Sequence, residues 1–133
     1  MDNETSAMEQ ILVLLKEKHK QIDNLMTLTK EMEKVIDRND LESLGAVLSM
    51  RQDSMDRVDK LNDEVREKIN GMDQPSQERV IKLLRRAEEP IAFDGSLETE
   101  IFETNRMTMS LLQRIIELDE AINKKVQQSA APE

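Results

Sequence analysis

A chain of 133 residues holds one domain and hardly two. Charged residues make up 35% and hydrophobic residues 38%, with three Gly, three Pro, no Cys, no Trp, no Tyr and two Phe, a long-helix composition with a core of Leu, Ile, Val and Met. The net charge of −9 is spread evenly, 11 basic against 16 acidic residues over 1–70 and 8 against 12 over 71–133, which leaves no basic arm and excludes the usual ways of gripping nucleic acid.

The first helix is predicted over about residues 6–37. Ser6-Ala7-Met8-Glu9 fits a capping box. Met8, Leu15, Ile22, Thr29 and Ile36 then recur by sevens, Ile11, Leu25 and Met32 fill the positions three further on, and Leu12 and Met26 those four further on. Leu14, Leu28 and Val35 widen the stripe, and His19 sits beside it as a half-buried bundle histidine. RND at 38–40 ends the helix, and Asn39-Asp40 starts the next.

The second helix is predicted over 40–70. Leu41, Leu48, Met55, Asn62 and Ile69 form one row, and Leu44, Val58 and Val65 the next, widened by Val47 and Leu61. So short a connection between two long helices favours an antiparallel hairpin. Arg51 and Asn62 interrupt the apolar rows, and a buried Asn can set register.

NGMDQP at 70–75 reads as a turn, with Gly71 as C-cap and Pro75 as helix starter. A short helix is predicted over 75–89, carrying Val80, Ile81, Leu84 and Ala87 and stopped by Pro90. Its cations Arg79, Lys82, Arg85 and Arg86 read first as favourable charge toward a helix C-terminus, and second as a docking spot for an acidic partner. IAFDGS at 91–96 breaks the chain again, with Ser96 as the next N-cap.

The last helix is predicted over 97–127, before a frayed tail at 128–133. Ile101, Thr108, Ile115 and Ile122 form its first row, and Leu97, Thr104, Leu111 and Leu118 its second, broadened by Leu112 and Val126. Met109 and Ile116 lie outside both rows and extend the apolar arc to about 160° around the helix. Nine methionines are many for this length, and Met107 and Met109 stand where gap filling explains them least.

The fold class that follows is all-α: an antiparallel helical bundle, or coiled coil, of three long helices plus one short helix, in a single domain over 1–133. One histidine and no cysteine cannot furnish the usual zinc or di-iron ligand sets, and Gly45, Gly71 and Gly95 are too scattered for a phosphate loop. No enzyme, cofactor or metal is expected. No apolar run of about 18 residues occurs and the start MDNETSAMEQ is unlike a secretory signal, so the expected setting is the cytoplasm, without membrane insertion.

The stretch LESLGAVLSMRQDSMDRVDKLNDEV, residues 41–65, resembles the second helix of FlgN-like flagellar secretion chaperones. Leucines lead into Arg51-Gln52, Met55 follows, and Leu61-Asn62 comes after. Asn105-Arg106 followed by Leu111-Leu112 is similar to the family's Asn-x-x-Leu-Leu region, with longer spacing. The likeness covers about residues 5–127, and FliT-like chaperones share the architecture. It implies a non-enzymatic bacterial protein that binds helical C-terminal segments of flagellar export substrates of the hook–filament junction type. Such a protein keeps those segments soluble and delivers them to the type III export apparatus. Carried over by position, the partner-binding residues are Met109, Leu111, Leu112, Ile115, Ile116, Leu118 and Ile122. An aromatic residue, often Tyr, is expected for docking on the export gate. This chain has no Tyr, which leaves Phe102 as substitute or a different mode of delivery. The competing expectation is a structural or adaptor coiled coil that associates with itself, so that monomer and dimer both stay open. Surplus apolar surface on the last helix requires that Met109, Leu112 and Ile116 are not all covered by the chain's own helices.

Overall fold

The computed structural model describes residues 3–85 and 95–130. Helix α1 spans Asn3–Asp37, α2 Leu41–Asn70, α3 Gln74–Arg85 and α4 Ser96–Ala130, with no strand among the described residues. The architecture is therefore the all-α bundle of three long helices and one short one that the patterning predicts.

Local chemistry sets the helix ends. The Ser6–Glu9 stretch is no cap, because α1 already begins at Asn3. Asn39 ends α1 in the left-handed region, φ 57°, a conformation Asn tolerates better than most residues. The Asp40 N–H donates to the Val35 carbonyl and the Asn39 N–H to the Ile36 carbonyl, the Schellman pattern. Asp40 then caps α2 by accepting from the Ser43 N–H at 3.1 Å. Its carboxyl is held below the usual aspartate range by its hydrogen bonds to Ser43. Gly71 is the C-cap of α2 with ordinary helical dihedrals, so the position does not exploit glycine's freedom. Asp73, overlooked in the sequence, caps α3 through the Ser76 N–H at 2.9 Å, and that bond lowers its pKa too. The predicted end of α3 at residue 89, the stop at Pro90 and residues 91–94 of the following break lie outside the described residues. Helix α4 starts at Ser96, with the Thr99 N–H bonded to the Gly95 carbonyl, and continues three residues past the predicted end.

Helix α1 is the hub, packing along both α2 and α4, while α3 lies mainly on α4 and touches α2. Cross-links between α1 and α4 join His19 to Thr108, Glu33 to Lys125 and Asp37 to Lys125, so the two helices run parallel. Helix α2 runs antiparallel to α1 through its short turn, and hence antiparallel to α4.

The core falls into three clusters along this axis. At the α3 end, Ile11, Leu12 and Leu15 of α1 meet Val65 and Ile69 of α2, Val80 and Leu83 of α3, and Ile101 and Phe102 of α4. In the middle, Ile22, Leu25 and Met26 pack on Ile115, with Val58, Leu111 and Leu112 partly buried around them. Near the α1–α2 turn, Met32, Val47 and Ile122 make a third cluster. Each fully buried Ile or Leu contributes about 1.5–3 kcal/mol.

The expected α2 seam needs correction. Of the row Leu41, Leu48, Met55, Asn62 and Ile69, only Ile69 is buried, and the first three are exposed. The residues that face α1 are Val47, Ser54, Val65 and Ile69. Ser54 is fully buried because its small hydroxyl donates to the Gln21 carbonyl at 3.1 Å, which lets α2 approach α1 closely. The other row is turned toward α4, which stands off from it.

Candidate functional site: the open seam between α2 and α4

On α2, residues 41, 44, 48, 51, 55, 58 and 62 recur by threes and fours and so share one side of the helix. On α4 the same holds for 109, 112, 116, 119, 123 and 126. The two stripes meet at Arg51 and Asp119 near their midpoints. Arg51 Nη2 donates to both Asp119 carboxylate oxygens at 3.1 and 2.9 Å, and Nη1 approaches the Met32 sulfur at 3.4 Å. The Arg51 side chain is 14% exposed and that of Asp119 34%, so this strap is half sunk into the seam. The interruption noted in the sequence is thus one half of an interhelical ion pair, and its partner Asp119 was legible only as a surface acid.

On either side of the strap the walls are apolar. Among the described residues the exposed large hydrophobics are Val13, Leu41, Leu48, Met50, Met55, Met107, Met109, Ile116 and Val126. Six of these nine, namely Leu41, Leu48, Met55, Met109, Ile116 and Val126, lie on the two facing stripes. Toward the α1–α2 turn, Leu41, Leu44 and Leu48 face Ile122 and Val126 across a groove of about 750 Å³ floored by Met32 and Ile36. Lys125 closes its far edge, bonded to Asp37 at 3.1 Å; that bond raises the Lys125 pKa.

The candidate binding residues are not one surface. Met109 is 49% exposed and Ile116 44%, whereas Ile115 and Ile122 are buried against α1. Leu111, Leu112 and Leu118 are half-buried, and only Leu112 of these shares the stripe of Met109 and Ile116. Among the described residues, helix α4 is therefore left uncovered on the Met109–Ile116 side.

The remaining predicted positions have structural roles. Phe102 is buried under α3 and offers no ring to a docking partner. His19 is half-buried; the Thr108 hydroxyl donates to the Thr104 carbonyl at 2.9 Å, so His19 Nδ1 donates to the Thr108 oxygen at 3.0 Å. Met107 is exposed on another side of α4, beside His19 and Arg114. Asn62 is half-buried on the α2 stripe. Of the cations on α3, Arg79 pairs with Glu98 at 3.4 Å, and Arg86 lies outside the described residues. Among the described residues no three His, Asp or Glu side chains are placed to hold a metal ion, and no helix is long and apolar enough to cross a membrane.

No protein-family model matches the chain, and no curated protein or solved structure matches it.

Proposed function

We propose that the chain is a non-catalytic binding module of the secretion-chaperone type, which holds an amphipathic helical segment of another protein in the α2–α4 seam. The observation that carries this reading is the clustering of exposed Leu41, Leu48, Met55, Met109, Ile116 and Val126 along two facing helix sides. Contiguous exposed apolar surface of this kind marks interaction sites, and a trough between helices suits the helix-in-groove mode. The resemblance of residues 41–65 to FlgN-like chaperones gives the partner a class: C-terminal segments of hook–filament junction proteins, kept soluble in the cytoplasm for type III export. Delivery to the export apparatus has to proceed without Phe102, which is buried.

Calorimetry with a C-terminal peptide of a junction protein tests the reading. Binding is expected, together with its loss in the double variant Leu112→Asp, Ile116→Asp at unchanged helicity. No heat at high micromolar peptide would count against it. The competing reading, a coiled coil that associates with itself, uses the same seam. It predicts a tight dimer in sedimentation velocity that the same double variant splits.

A further inference from the structure

The stripe that lies open on α4 does not begin at Met109. Glu98, Phe102 and Asn105 continue it toward the helix start by the same steps of three and four. These three are buried, and α3 is what covers them. Among the described residues this cover reaches as far as Asn105, whose side-chain amide donates to the Leu84 carbonyl at 3.0 Å near the described end of α3. On α2 the same change occurs between Val65, buried in the α3 cluster, and Met55, exposed. The chain thus carries, at one end of the trough, its own example of an occupant.

That occupant has a definite chemistry. Helix α3 buries Val80 and Leu83 and carries Arg79, Lys82 and Arg85 against the single acid Glu78. Arg79, at the edge of its apolar face, reaches the buried Glu98 of α4. The open part of the trough carries its free acids on its exposed shoulders, since its on-stripe acid Asp119 is already paired with Arg51. One step outward from the α2 stripe stand Asp56 and Asp59, and one step outward from the α4 stripe stand Glu117 and Glu120, all exposed. The basic residues on these shoulders, Arg66, Arg106 and Lys124, lie toward the ends of the open stretch.

We infer that the seam selects a cationic amphipathic helix from another protein, with an apolar stripe at helical spacing flanked by Lys or Arg over its central turns, seated along the open stripe from Met109 to Val126. This rests on the helix-binding reading above and adds the charge of the partner. The open α4 stripe from 109 to 126 is about 26 Å long at 1.5 Å per residue, room for a partner helix of about 18 residues. Rim charges of this kind act on encounter and on exclusion of wrong partners more than on raw affinity, and salt weakens them.

Three synthetic peptides of about 20 residues, with one Leu/Ile stripe and Lys, Gln or Glu flanks, decide the matter by fluorescence anisotropy with the intact chain. The Lys-flanked peptide is expected to bind about tenfold or more tightly than the Glu-flanked one at low salt, with the gap narrowing as salt rises. The variant Glu117→Lys, Glu120→Lys, its helicity checked by circular dichroism, should shrink or invert the preference. Equal binding of the Lys and Glu peptides would overturn the charge selection and leave the helix-binding reading standing. If none of the three binds, both fail. A dimer in sedimentation velocity that excludes all three peptides would make a second copy the occupant and overturn the inference.

Discussion

The two ends of this bundle are built on the same α1, α2 and α4, yet one is closed and the other open. At the closed end α3 lies on α4 and reaches α2, and Val80, Leu83 and Phe102 are buried. At the open end no fourth helix is present among the described residues, and side chains of the same apolar kind stand in solvent: Met55, Met109 and Ile116. On the α4 stripe the covered part, Glu98, Phe102 and Asn105, is less apolar than the open part, where Met109, Leu112, Ile116 and Val126 stand, so composition does not mark which part is core. What distinguishes them among the described residues is whether α3 lies over the stripe. The strap of Arg51 and Asp119 stands within the open half and ties α2 to α4 where no side helix does.

Substitutions can sharpen that contrast. The largest effect is expected from Phe102→Ala at the closed end, which should cost about 3–5 kcal/mol in chemical denaturation because it removes a buried ring and leaves a cavity. Met109→Ala on the same stripe should stay within about 0.5 kcal/mol, since its side chain is half in water already. A comparable loss at the two sites would mean that the open half is core. Asp119→Ala should cost about 1.5–3 kcal/mol, the range for hydrogen bonds to a charged group, as it strands the sunken guanidinium of Arg51. Gly45→Ala should instead stabilise by about 0.5–1 kcal/mol, because Gly45 lies inside exposed α2 and an added Cβ meets nothing within 4 Å. The smallest effect concerns the caps. The folded-state pKa values of Asp40 and Asp73 are depressed by their Ser43 and Ser76 bonds, so the stability they add is present above the unfolded aspartate pKa. It is lost as the pH falls through the lower folded values. Thermal melts across that acid range should therefore show a steeper fall for the parent chain than for the Asp40→Asn, Asp73→Asn variant.

Much of the fold was legible because helical rows repeat faithfully. Ile11, Ile22, Ile101 and Ile115 stand on predicted rows and are buried. The α2 rows were misassigned for a physical reason: Leu41, Leu48 and Met55 have the spacing of a core row, and spacing does not say which neighbour a row will meet. The true α1-facing row includes Ser54, a small polar residue that hydrophobic patterning passes over. The surplus on α4 was visible in Met109 and Ile116, whereas the α2 wall opposite and the strap between them were not, because each needs two helices placed in register. Ile115 and Ile122 entered the candidate surface by position from the FlgN-like resemblance, and they are buried against α1.

The order of amino acids alone determined that this protein is helical, where its helices roughly begin and end, and that its last helix carries too wide an apolar arc. Those properties are local, set by periodicity, caps and turn residues acting within a few positions of one another. Only the tertiary arrangement decided which part of that arc is covered. The cover depends on how α3, α2 and α4 are laid on one another, and that is fixed by contacts between residues far apart in the chain, such as Asn105 with Leu84 and Arg51 with Asp119.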